Sequence, residues 1–78
     1  MKTIIVYSEN MPTVLHRVIA PFTQSKVNIE SLYVREIEKG ISKFEIKAIV
    51  NDKIALRITN KIKKIIEVFG VEFEGEKE

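Results

Sequence analysis

The alternation between Ser42 and Val50 narrows the choice of fold more than any other feature of this chain. Phe44, Ile46, Ala48 and Val50 are interleaved with Lys43, Glu45 and Lys47. Side chains on a strand alternate between its two faces, so this stretch has one face for a core and one for water. Such a strand belongs to an antiparallel sheet that needs a covering layer on its dry side only. Three further segments fit that sheet. Thr3 to Ser8 is a β-branched and aromatic run, with Ile4 and Val6 on one face and Ile5 and Tyr7 on the other. Apolar residues on both faces predict a central strand, or one whose second face meets a partner. Val27 to Arg35 places Ile29, Ser31 and Tyr33 on one face and Asn28, Glu30, Leu32 and Val34 on the other. It is followed by a turn over Glu36 to Gly40, where Gly40 can take a positive φ. Last, a turn at Gly70 leads into a short strand in which Val71 and Phe73 alternate with Glu72 and Glu74.

Two helical segments supply the covering layer. In the first, Val14, Leu15, Val18, Ile19 and Phe22 recur at helical spacing. Pro12 suits its first helical position, where the missing N–H has no partner to lose. Pro21 predicts a local bend near the helix end. The second is capped by Asn51 or Asp52. Ile54, Ile58, Ile62, Ile65 and Phe69 form its buried stripe, Lys53, Arg57, Lys61 and Lys64 a parallel basic stripe, and Leu56 falls on neither. The order strand, helix, strand, strand, helix, strand predicts an α+β fold of ferredoxin-like type. Its antiparallel four-stranded sheet carries both helices on one face. The 78 residues fit one domain over 1–74, with 75–78 as a frayed tail. A domain of this size buries only about 60% of the surface its unfolded chain exposes, and oligomerisation is a common remedy.

Most catalytic chemistries find no footing. There is no Cys, and His16, the only His, sits on a helix flank without a carboxylate at ligand spacing. Ser8, Ser25, Ser31 and Ser42 have no base placed by a motif. Three Gly residues form no phosphate-binding loop. The chain is therefore read as a non-enzyme without a metal or cofactor. A net charge of +2 is too small to indicate nucleic acid, and Tyr7 alone is no base-stacking platform. No apolar run reaches the roughly 18 residues of a membrane span or the apolar core of a signal peptide. A cytoplasmic location follows. What the sequence does contain is a binding constellation. Glu9-Asn10-Met11-Pro12 leads into a helix N-terminus, where unpartnered N–H groups at Thr13, Val14 and Leu15 attract a carboxylate. Asn28 returns a side-chain amide near the second strand. A loop, a helix start and a polar strand entry together suit a small zwitterion, with Val14, Leu15 and Ile29 as apolar surface for its side chain.

The strings Glu9-Asn10-x-Pro12, Val14-Leu15-x-Arg17-Val18, Phe22, Asn28-Ile29-Glu30-Ser31-Leu32-x-Val34 and Gly40-Ile41-Ser42 resemble the ACT domain of the acetolactate synthase small regulatory subunit. Ile58, Ile62 and Lys64-Ile65-Ile66-Glu67-Val68 extend the likeness through the second helix. The resemblance implies a side-by-side homodimer or a larger even assembly. It implies an effector site between the first loop of one subunit and the second strand of the other. A branched-chain amino acid, typically valine, would bind there and regulate a catalytic subunit. Asn10 and Asn28 fall on ligand-binding positions of the family, and the second strand is an edge, so Ile29, Leu32, Tyr33 and Val34 are the expected interface. Thr13 and Lys26 stand where the family usually has Gly, and the second domain of longer subunits is missing. An ACT-type dimerisation module that has lost its effector is the alternative.

Overall fold

A computed structural model of the chain describes residues 1–75. Its order is β1 (Lys2–Glu9), α1 (Val14–Gln24), β2 (Ile29–Glu38), β3 (Ile41–Ala48), α2 (Asp52–Lys63) and β4 (Val68–Gly75). The strands form one sheet in the order β2-β3-β1-β4, with every neighbouring pair antiparallel. This is the ferredoxin-like arrangement. β1 is central, as its two apolar faces require, and β2 and β4 are the edges. Ile4 and Val6 of β1 and Phe44, Ile46 and Ala48 of β3 share one core with Val14, Val18 and Phe22 of α1 and Ile58 and Ile62 of α2. Both helices therefore lie on one face. On the opposite face Ile5 is only 7% exposed, being flanked across the strands by Glu45 and Glu72. Among the described residues no helix is long and apolar enough to cross a membrane.

Four local expectations are corrected. Pro12 is not the first helical residue: the chain turns through Pro12 and Thr13, and α1 begins at Val14. The N–H of Val14 bonds to the carbonyl of Met11 at 3.2 Å, closing that turn before the helix starts. Second, β2 runs on to Glu38, and only Lys39 and Gly40 turn. Gly40 takes φ +81 and its N–H donates to Glu36 Oε2 at 2.9 Å. Third, a bulge between Ile29 and Ser31 shifts the register of β2. Ile29 pairs with Ala48, Leu32 with Ile46 and Val34 with Phe44. Directly opposed residues share a face, so Ile29 joins Leu32 and Val34 on the helix side and leaves Tyr33 with Ser31. Fourth, Gly70 lies inside β4 rather than ahead of it. Phe69 belongs to that strand, at the register shift opposite Tyr7 and Ser8, and is 61% exposed. Val68 and Val71 take the contact with the core instead.

The ends of the helices follow their sequence. Asn51 is the cap of α2, accepting the Ile54 N–H at 2.8 Å, while Asp52 pairs with Lys2 at 3.0 Å. Pro21 is buried inside α1, which continues to Gln24. There the N–H of Lys26 bonds to Thr23 and that of Val27 to Phe22. This pair of bonds is a Schellman termination, and it requires a left-handed residue between them. Lys26 supplies it at φ 59. The Gly75–Glu78 tail expected from the sequence begins with the last residue of β4, and 76–78 lie outside the described residues.

Candidate functional site

The loop from Glu9 to Thr13 is fastened on two sides. The Glu9 N–H donates to the Glu67 carbonyl at 2.9 Å and the Asn10 N–H to the Gly40 carbonyl at 3.0 Å. The Asn10 side chain accepts through Oδ1 from Ser42 Oγ at 3.0 Å. Arg17, one turn into α1, donates to Glu67 Oε1 at 2.5 Å and to Thr13 Oγ1 at 3.4 Å. The loop is thus tied to the β2–β3 turn through Asn10 and to the α2–β4 turn through Glu9 and Arg17. Asn10 keeps its amide nitrogen as a donor, since the oxygen is engaged.

Sequence reasoning did not name these fastenings, although one was signalled. Ser42 is in phase with Phe44 and Ile46, a polar side chain at a core-facing position, and it is 4% exposed. Buried hydroxyls take partners, and Asn10 is the partner. Arg17 was visible only as part of a motif.

The residues expected to hold a ligand are distributed as follows. Asn10, Thr13 and Leu15 are exposed around the loop and the first turn of α1. Val14 is not available: its side chain is 1% exposed in the core and its N–H is bonded to Met11. It anchors the helix start and offers no apolar surface to a ligand. Ile29 is half-buried and packs against the core. Asn28 is exposed at the opposite end of the sheet. Ile29 pairs with Ala48, which pairs with Lys2 at the start of β1, whereas Asn10 follows the end of β1. At about 3.3 Å per residue the two asparagines stand roughly 23 Å apart. One protomer does not bring them together. Asn28 instead lines an open depression of about 650 Å³ with Ser25, Lys26, Glu30 and Asn51.

The edge next to Asn28 is unusually apolar for a surface. From Glu30 to Glu38 all of β2 is exposed, with Leu32 39%, Tyr33 59%, Val34 42% and Ile37 42% exposed. Above it runs one flank of α1. Arg17 and Gln24 reach Glu67 and Lys61 on the α2 side, and a helix turns 100° per residue, so Leu15 and Ile19 occupy the flank facing away from α2. They line an apolar groove of about 450 Å³ with Thr23 and Ala20. Since α2 packs along β4, the flank facing away from α2 is the one over the β2 edge. Among the described residues no group of three or more His, Asp or Glu is placed to hold a metal ion. The loop presents an exposed amide beside a helix start, and β2 presents an exposed strand edge.

The sequence pattern of the ACT domain family matches residues 2–67. A probable acetolactate synthase small subunit of Methanothermobacter thermautotrophicus is 39% identical over 64 residues, which make up 81% of this chain and 38% of that protein. The chain thus spans well under half the length of that curated relative. The crystal structure of the acetolactate synthase small subunit of Thermotoga maritima superposes with a TM-score of 0.78 at 26% identity, over 91% of this chain and 45% of that one. The ACT domain of a GTP pyrophosphokinase of Chlorobium tepidum gives a TM-score of 0.77 over 92% of this chain and 94% of that one; at 18% identity it bears on the fold alone.

Proposed function

This chain belongs to the ACT domain family, and on that premise we propose that it is a non-catalytic regulatory domain that binds a branched-chain amino acid of the valine type between two copies of itself. The reading extends to control of acetolactate synthase in the cytoplasm, because two of the proteins it resembles are small subunits of that enzyme.

The observation that carries it is the bare β2 edge. An edge strand with exposed Leu32, Val34 and Tyr33 is a pairing hazard unless another chain covers it. A twofold axis beside β2 pairs it antiparallel with its own copy, which is the self-complementary contact such an axis demands. Antiparallel pairing sets the start of one β2 against the end of the other. The end of β2 adjoins the Gly40 turn, to which the Asn10 loop is bonded. The second copy's Asn28 is thereby carried towards this protomer's Asn10–Leu15 loop, and the separation within one chain becomes proximity between two. The ligand carboxylate meets the helix start of one chain, where the dipole favours negative charge. The amide of Asn28 from the other chain takes its polar end, and Leu15 and Ile29 flank its side chain. Calorimetric titration with valine, leucine, isoleucine and threonine tests the reading. Micromolar to millimolar binding of at least one is the expected result, and silence from all four at millimolar concentration removes it.

A second reading has its own observation. Thr13 stands at the loop with its hydroxyl engaged by Arg17, adding a branched side chain where backbone would otherwise be open. A dimerisation module without an effector would show that same silence together with an intact dimer.

A further inference from the structure

We infer that the outward face of α2 is a docking surface for an acidic patch with an apolar hollow on the catalytic partner. The inference rests on the regulatory reading above and adds where contact is made. Lys53, Arg57, Lys61, Lys63 and Lys64 are all exposed on α2 and its cap, while Ala55, Ile58, Thr59 and Ile62 face the core. Among the described residues, the two acids at the ends of this segment pair elsewhere. Asp52, the only acidic residue of α2, pairs with Lys2, and Glu67 beyond its end pairs with Arg17. A helix that is merely solvated usually mixes signs and gains from pairs three or four residues apart; this segment places like charges there instead, Lys53 with Arg57, Arg57 with Lys61 and Lys61 with Lys64.

Leu56 is the second and independent observation. It is 57% exposed and stays outside the core cluster. Its neighbours one helical turn away are Asp52, Lys53, Thr59 and Asn60, with Lys63 a further turn along. An exposed apolar side chain at the border of a basic stripe has the layout of an anchor with a charged rim on one side. The anchor supplies contact area in a pocket, and the rim steers an acidic surface onto it and sets the register. A nucleic acid fits less well, since a duplex or single strand has no use for a lone leucine. In the β2-paired dimer α1 is next to the axis and α2 outside it, so two copies of the face flank the axis on one side of the assembly.

The test measures association of the chain with the acetolactate synthase catalytic subunit of the same organism at low and moderate salt. Three forms are compared: wild type, Lys53→Glu/Arg57→Glu, and Leu56→Ala. Melting temperature and valine titration serve as controls, since none of these side chains belongs to the ligand site. The double reversal is expected to weaken association about tenfold or more and to flatten its salt dependence. Leu56→Ala should weaken it severalfold with the salt dependence retained. If wild type binds and both variants bind equally well, the α2 surface is overturned while the regulatory reading stands. If wild type fails to bind the catalytic subunit at all, both fall. A single-stranded RNA held by wild type and released by the double reversal, without any subunit binding, overturns the proposal in favour of nucleic acid.

Discussion

Lys26 shows what one residue can report. Its φ of 59 is the conformation that the Schellman termination of α1 demands, and a side chain bearing Cβ holds it at a cost of about 1–2 kcal/mol. Gly would relieve that strain and lose part of the gain, about 0.5–1 kcal/mol, to its freer unfolded chain. Lys26→Gly should therefore stabilise the domain by about 0.5–1 kcal/mol, a rise of a few degrees in melting temperature; a fall would contradict the account. The family resemblance marks the position as one that often holds Gly, but the reason is not legible in the sequence, because φ is set by the bonds of Lys26 and Val27 to the helix end. Thr13 is the opposite case, a departure from Gly at φ −85, where no strain arises and only the space around the loop changes. Thr13→Gly should tighten valine binding by up to about tenfold, equivalent to about 1.4 kcal/mol. Weaker binding in a calorimetric titration would mean that the hydroxyl is a ligand contact instead.

At the scale of elements, periodicity was a sound guide where burial is one-sided. The alternation of β3 and the Ile58 and Ile62 spacing of α2 appear in the core as expected. Bulges were not legible. The extra residue at Glu30 moves Ile29 to the helix side, and nothing in the local pattern marks it, because an edge strand with apolar residues on both faces accepts either register. Phe69 was assigned to α2 for a related reason: its spacing from Ile65 is helical, yet the chain has left the helix at Lys63 and the residue sits at a register shift in β4. The candidate site divided in the same way. Asn10 and Leu15 lie exposed at the loop, whereas Val14 was drawn inward because the turn through Pro12 and Thr13 delays the helix start. The basic stripe of α2 should matter little to folding, since exposed charges contribute about 0–1 kcal/mol each. Changing Lys53, Arg57 and Lys61 to Gln should leave the melting temperature within a few degrees; a large drop would assign the stripe a structural role.

The whole molecule is small, with a radius of gyration of 11.7 Å, and among the described residues no strand pairs with the outer side of β2. Sedimentation at micromolar concentration should show a dimer or a larger even assembly. Leu32→Lys with Val34→Lys should shift it towards monomer and lower its stability, because like charges would then be directly opposed across the twofold contact. A wild-type monomer of ordinary stability would rule out the paired edge.

The placement of Asn10 and Asn28 at opposite ends of one protomer has a consequence in stoichiometry. In the proposed dimer each ligand site draws its two asparagines from different chains, so there are two sites and neither lies within a single chain. A subunit carrying Asn10→Ala damages its own loop, and one carrying Asn28→Ala damages its partner's. Mixed and allowed to exchange, the two form heterodimers in which one site collects both lesions and the other collects none. Two variants that each fail to bind valine alone should together recover high-affinity binding at one valine per heterodimer, countable by calorimetry. No recovery after exchange would place both asparagines in the same chain's site.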